Sequence, residues 1–91
     1  MVDLADDVIK GKILHKLTKA GKFEHSHTDI INLYKGFPGH LQGRAKTLVR
    51  EMIRKGLLKL KPTSYGQHVS INLEQSDEIL RLIEVFKNFR S

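Results

Sequence analysis

At Gly56 the apolar period of the chain changes from about 3.6 residues to 2, and this switch constrains the fold more than any other feature of the sequence. On its amino-terminal side Leu41, Ala45, Leu48 and Met52 recur at helical spacing with Val49 and Ile53 on the flank, which predicts a helix over 40–55 with one buried stripe. On its carboxy-terminal side Leu58 and Leu60 alternate with Lys59 and Lys61. Further on, Val69, Ile71 and Leu73 alternate with His68, Ser70 and Asn72. Between these runs lie Pro62, Thr63, Ser64, Tyr65, Gly66 and Gln67, a polar loop of turn-forming residues. Residues 57–73 are therefore expected to form a β-hairpin, and a helix feeding directly into a hairpin places the chain in the α+β class.

The remaining elements follow from the same reading. Ile9, Ile13, Leu17 and Ala20 predict a first helix over 4–20, with Asp3, Asp6 and Asp7 at its positive end and Gly21 as its stop. Lys22, Phe23 and Glu24 suggest a short strand. The hydroxyls of Ser26 and Thr28 then offer caps for a second helix over 28–35 through Ile30, Ile31, Leu33 and Tyr34. Gly36, Phe37, Pro38 and Gly39 interrupt any helix and reverse the chain. Ser76, Asp77 and Glu78 open a last helix over 76–90, whose apolar positions are Ile79, Leu80, Leu82, Ile83, Val85, Phe86 and Phe89. At 91 residues the chain is expected to be one domain, 1–91, with a single modest core.

The formal net charge is +6, and its distribution is uneven. Residues 1–7 hold three acids and no base, whereas residues 8–68 hold thirteen Lys and Arg against Glu24, Asp29 and Glu51. A basic middle between neutral or acidic ends is the electrostatic footprint of a polyanion binder, and a lysine-rich solubilising surface is the alternative reading of the charge alone. The absence of cysteine excludes disulfides, thiolate catalysis and cysteine-ligated zinc. The acidic start lacks the features of a signal peptide and no apolar run approaches a membrane span, so a cytoplasmic protein without membrane contact is expected. No phosphate-cradling glycine loop, nucleophile elbow or metal-ligand constellation is present, so neither catalysis nor a cofactor or small-molecule ligand is expected. His25 and His27 lack a nearby carboxylate cluster and are read as turn or helix-start residues, not metal ligands.

Projected at about 100° per residue, the third helix turns Gly43, Lys46, Thr47, Arg50 and Arg54 away from its buried stripe, with His40 and Arg44 towards one edge. No acid lies at the centre of that face, and Glu51 falls to its side. Arginine pairs in bidentate fashion with guanine, threonine meets the thymine methyl, and a glycine lets the helix approach a groove closely. On the hairpin, Lys59 and Lys61 suit phosphates or are ordinary strand lysines facing water, and Tyr65 at the tip suits stacking on a base or sugar or packs on its own hairpin. The last helix carries more apolar surface than one face accommodates. Packing on the first helix takes part of it, and Leu80, Ile83, Phe86 and Phe89 are expected to meet a second copy in a two-fold homodimer.

The order helix, short strand, helix, turn, helix, hairpin, helix resembles the winged helix–turn–helix family over about residues 5–73. Its most characteristic segment is Leu48-Val49-Arg50-Glu51-Met52-Ile53-Arg54-Lys55-Gly56-Leu57-Leu58, which looks like that family's recognition-helix ending, with a glycine releasing the chain into the wing. The resemblance implies a three-helix core with a β-hairpin wing and a carboxy-terminal fourth helix. It also implies that the third helix enters the major groove of duplex DNA while the wing follows the backbone, as in a small transcriptional regulator. The family includes protein-docking modules as well, so a protein partner with an acidic surface is the alternative, and structured RNA a third. The turn at 36–39 is longer and stiffer than the family's usual short turn.

Overall fold

The computed structural model describes the backbone of residues 2–90 and the side chains of residues 5–89. It is an α+β fold of three helices and a three-stranded antiparallel sheet: α1 (Val2–Lys19), β1 (Thr28–Asp29), a 3-10 turn (Ile30–Leu33), α2 (Gly39–Arg54), β2 (Leu58–Thr63), β3 (Gly66–Ile71), a second 3-10 turn (Leu73–Gln75) and α3 (Ser76–Arg90). The strand order is β1-β3-β2. No helix among the described residues is long and apolar enough to cross a membrane.

Two helices end by the same device. Gly21 takes φ 70°, and Lys22 N donates to Leu17 O at 2.9 Å while Gly21 N donates to Thr18 O at 3.0 Å. Gly56 takes φ 81°, with Leu57 N donating to Met52 O at 2.9 Å and Gly56 N to Ile53 O at 3.1 Å. A left-handed residue followed by this 6→1 and 5→2 pair closes the last carbonyls of a helix, and glycine adopts the conformation without steric cost. The switch of period at Gly56 is thus a physical corner, after which Leu58 enters the sheet opposite Ile71.

Residues 28–35 do not form the expected second helix. Thr28 and Asp29 pair with Val69 and His68 of β3, and only one 3-10 turn follows. Asp29 caps that turn by accepting from Ile31 N at 2.9 Å, and Asn32 Nδ2 donates to Thr28 Oγ1 at 2.8 Å. Short polar side chains that bond their own backbone compete with helix, and so few residues before Gly36 cannot repay helix nucleation. The four-helix order is corrected accordingly. The strand expected at 22–24 is also reduced, to a single parallel bridge between Phe23 and Ile71.

The hairpin is tighter than its polar loop suggested. β2 and β3 stay paired from Leu58–Ile71 out to Thr63–Gly66, which leaves only Ser64 and Tyr65 as the turn. Pro62 is tolerated because β2 is an edge strand, where a missing N–H leaves no neighbour unpaired. Leu73, expected to continue β3, opens the 3-10 turn instead, with Asn72 accepting from Glu74 N at 3.1 Å.

The core joins Ile13, Leu14 and Leu17 of α1, Ala45, Leu48, Val49 and Met52 of α2, Leu58, Val69 and Ile71 of the sheet, and Ile79, Leu82 and Ile83 of α3. α1 is held on more than one side. At Gly11 a β-carbon would stand 2.1 Å from Leu82 O and 2.7 Å from Phe86 Cβ, so α1 and α3 touch backbone to backbone there.

Candidate nucleic-acid interface

Ala45, Leu48, Val49 and Met52 fix the roll of α2 by facing the core, and this turns His40, Gly43, Arg44, Lys46, Thr47, Arg50 and Arg54 to the exterior. Nothing lies within 4 Å of a β-carbon built on Gly43, so the helix backbone is open at that point. Thr47 Oγ1 donates to Gly43 O at 3.2 Å, which turns its hydroxyl to the helix backbone. Among the described residues no carboxylate lies within ion-pair distance of Lys46, Arg50 or Arg54.

The acids near α2 are drawn to its flank. Glu51 accepts from Lys10 Nζ at 2.6 Å, with Lys55 Nζ 3.5 Å away, and the Lys10 bond chiefly holds the carboxyl below the usual carboxylate range. Arg44 donates through Nε and Nη2 to Asp6, whose carboxyl is held low by that bond. Arg44 is therefore committed to α1 in the free protein, unlike the other cations of the face. Tyr34 lies beside Lys46, its ring centroid 5.6 Å from Nζ, and burial raises its hydroxyl above the usual value against the opposing effect of Arg50.

On the hairpin the expected contacts divide. Lys59 donates to Glu24 at 3.1 Å, and this bond holds the Glu24 carboxyl low. Lys61, opposite His68, has no carboxylate within ion-pair distance among the described residues. Tyr65 is 92 % exposed at the tip, so it does not pack on its own hairpin. Beneath Lys59 and Lys61, residues 24–27 cross the outer sheet face and leave a shallow cavity of about 310 Å³. There His27 Nδ1 stands 2.9 Å from His68 Nδ1, and desolvation, then Lys61 and His68, hold the His27 imidazole below its ordinary value. No group of three or more His, Cys, Asp or Glu able to hold a metal ion occurs among the described residues.

The residues expected to meet a second copy are dispersed. Ile83 is 5 % exposed and belongs to the core, which corrects its assignment to a surface. Phe86 is half-buried with its ring 5.5 Å from that of His15. Leu80 and Phe89 are exposed, but nine residues at about 100° each put them on opposite edges of α3. Lys12 and Lys16 were not among the residues expected at the interface; their signal was their position off the apolar stripe of α1, and the fold carries them to the turn before α2.

No family model matches the chain, and comparison with curated proteins and with solved structures returns no match.

Proposed function

We propose that the chain is a duplex-DNA-binding module, without catalysis, that lays α2 in the major groove and runs the β2–β3 hairpin along the phosphate backbone. In this reading it is a winged helix whose second helix has shrunk to one 3-10 turn, and its simplest role is that of a small transcriptional regulator. The observation that carries the reading is the sign of the α2 face: Lys46, Arg50 and Arg54 point outward around an open Gly43, with no carboxylate partner among the described residues. A solvated helix usually mixes signs, whereas a helix that meets base edges and phosphates needs cations and close backbone approach. Strand order β1-β3-β2, with β2 and β3 paired on past the last β1 partner, His68, to Thr63 and Gly66, supports the wing assignment.

The test is fluorescence anisotropy with labelled duplex, single-stranded DNA, structured RNA and an acidic protein as competing ligands. Duplex is expected to bind most tightly. Arg50→Ala should cost about 1–3 kcal/mol on a preferred site and relax base choice there, whereas Lys61→Ala should weaken all sequences alike. Preference for the acidic protein or RNA over duplex would transfer the face to that partner.

A further inference from the structure

Two aromatic rings of one turn hold lysines that come from different helices. Lys12 of α1 places Nζ 4.9 Å from the Phe37 ring centroid, and Lys46 of α2 places Nζ 5.6 Å from that of Tyr34. The turn carrying both rings is closed by Phe37 N donating to Tyr34 O at 3.1 Å. Lys16, one helical turn beyond Lys12, donates to Asn32 O at 2.8 Å, and its Nζ is 3.9 Å from where a β-carbon of Gly36 would stand. Lys35 is exposed within the turn itself. Four ammonium groups from three segments thus surround residues 32–37, and among the described residues no carboxylate lies within ion-pair distance of them.

A ring face or a neutral carbonyl orients an ammonium group but leaves its charge uncancelled. Lysines held in this way keep an unmet demand for anions and have less rotamer freedom left to lose on binding. We infer that this turn is a second phosphate-binding surface, which grips the backbone of the same duplex beside the amino-terminal end of α2. The inference rests on the DNA reading of α2. The cations are spread over three segments around the turn, and the cavity that Lys12 and Lys16 help to line takes in neither Lys35 nor Lys46, so a run of phosphates fits them better than a single free phosphate. Lys46 belongs both to this cluster and to the α2 face, which makes the two surfaces continuous. The hairpin departs from the other end of α2, so the turn and the hairpin flank the helix as two backbone grips.

The test compares Lys12→Gln/Lys16→Gln/Lys35→Gln with the charge-preserving Lys12→Arg/Lys16→Arg/Lys35→Arg, after circular dichroism melting has shown that both fold. Binding to duplexes of unrelated sequence is measured from about 50 to 200 mM salt. The Gln variant should bind every duplex more weakly by a similar factor, with a log–log salt slope shallower by about 0.9 for each phosphate no longer neutralised, while the Arg variant keeps the slope. Unchanged affinity and slope in the Gln variant, with wild-type binding intact, would overturn this surface and leave the α2 reading standing. Equal losses in the Gln and Arg variants would overturn it too, by revealing a packing role. Absence of duplex binding by the wild-type chain would overturn both readings.

Discussion

Lys10 of α1 donates to Glu51 of α2 at 2.6 Å, and this bond draws the sole acid of α2 off the helix's outward face. One ion pair therefore ties two core helices together and leaves the outward face of α2 with a single sign. Glu51→Gln should reduce stability by about 1 kcal/mol, between the worth of a surface ion pair and that of a charge-assisted bond. Because the Glu51 carboxyl is held low in the native state, its contribution is complete above its unfolded pKa near 4.5 and is lost as pH falls through the lowered value. Urea titrations of both proteins at pH 7 and at pH 3 would check this, since the difference between them should shrink at the lower pH.

Gly11 and Gly43 lie on two helices in opposite circumstances. A methyl group at Gly11 meets Leu82 O at 2.1 Å, which only a backbone shift relieves, while a methyl group at Gly43 meets nothing within 4 Å. Gly11→Ala should destabilise by at least the roughly 1–3 kcal/mol of an overpacked core. Gly43→Ala should stabilise by about 0.5–1 kcal/mol through helix propensity, and should weaken duplex binding if the helix approaches the groove at that point. Thermal melts of the two variants, read beside their binding curves, separate these effects.

The contact of His27 Nδ1 with His68 Nδ1 at 2.9 Å has room for one proton, not two. Lys61 on β2 and Asp29 on β1 lie opposite His68, and Glu24, His25 and Lys59 line the cavity alongside. Lys22 adds a further positive charge acting on His27. Since the folded chain resists protonation of His27, its contribution to stability is complete above the ordinary histidine value of 6.5 and declines as pH drops from there through the lowered value. Denaturation midpoints between pH 7.5 and 5.5 should fall more steeply for the wild-type chain than for His27→Gln. Equal pH dependence in the two would show that His27 does not contribute to stability in that window.

The parts of the fold that could be read from the sequence were those whose signals are local. Leu41, Ala45, Leu48 and Met52 mark α2, Gly56 marks its corner, and the alternation about Leu58 and Val69 marks the hairpin. The roll of α2, and with it the outward placement of Arg50 and Arg54, follows from the same stripe. What escaped depends on contacts between distant residues. Thr28 and Asp29 pair with β3 in place of starting a helix, because the free edge of Val69 and His68 is presented to them. The exclusion of any side chain at Gly11 is imposed by α3, more than seventy residues along the chain. Ile83 looked like surplus apolar surface only because the depth of its burial against the other helices has no local signature. The lysine cluster around Tyr34 and Phe37 likewise exists only once α1 has folded back on the turn.

The most direct measurement is a two-dimensional amide NMR titration of the chain with a short duplex. The largest shifts are expected at Gly43, Lys46, Thr47, Arg50 and Arg54 on α2, with a second set on the hairpin about Lys61 and Tyr65, and little change on the exposed edge of α3 around Leu80. Shifts confined to α3, or none on α2 at saturating duplex, would contradict the assignment of α2 as the DNA-binding face.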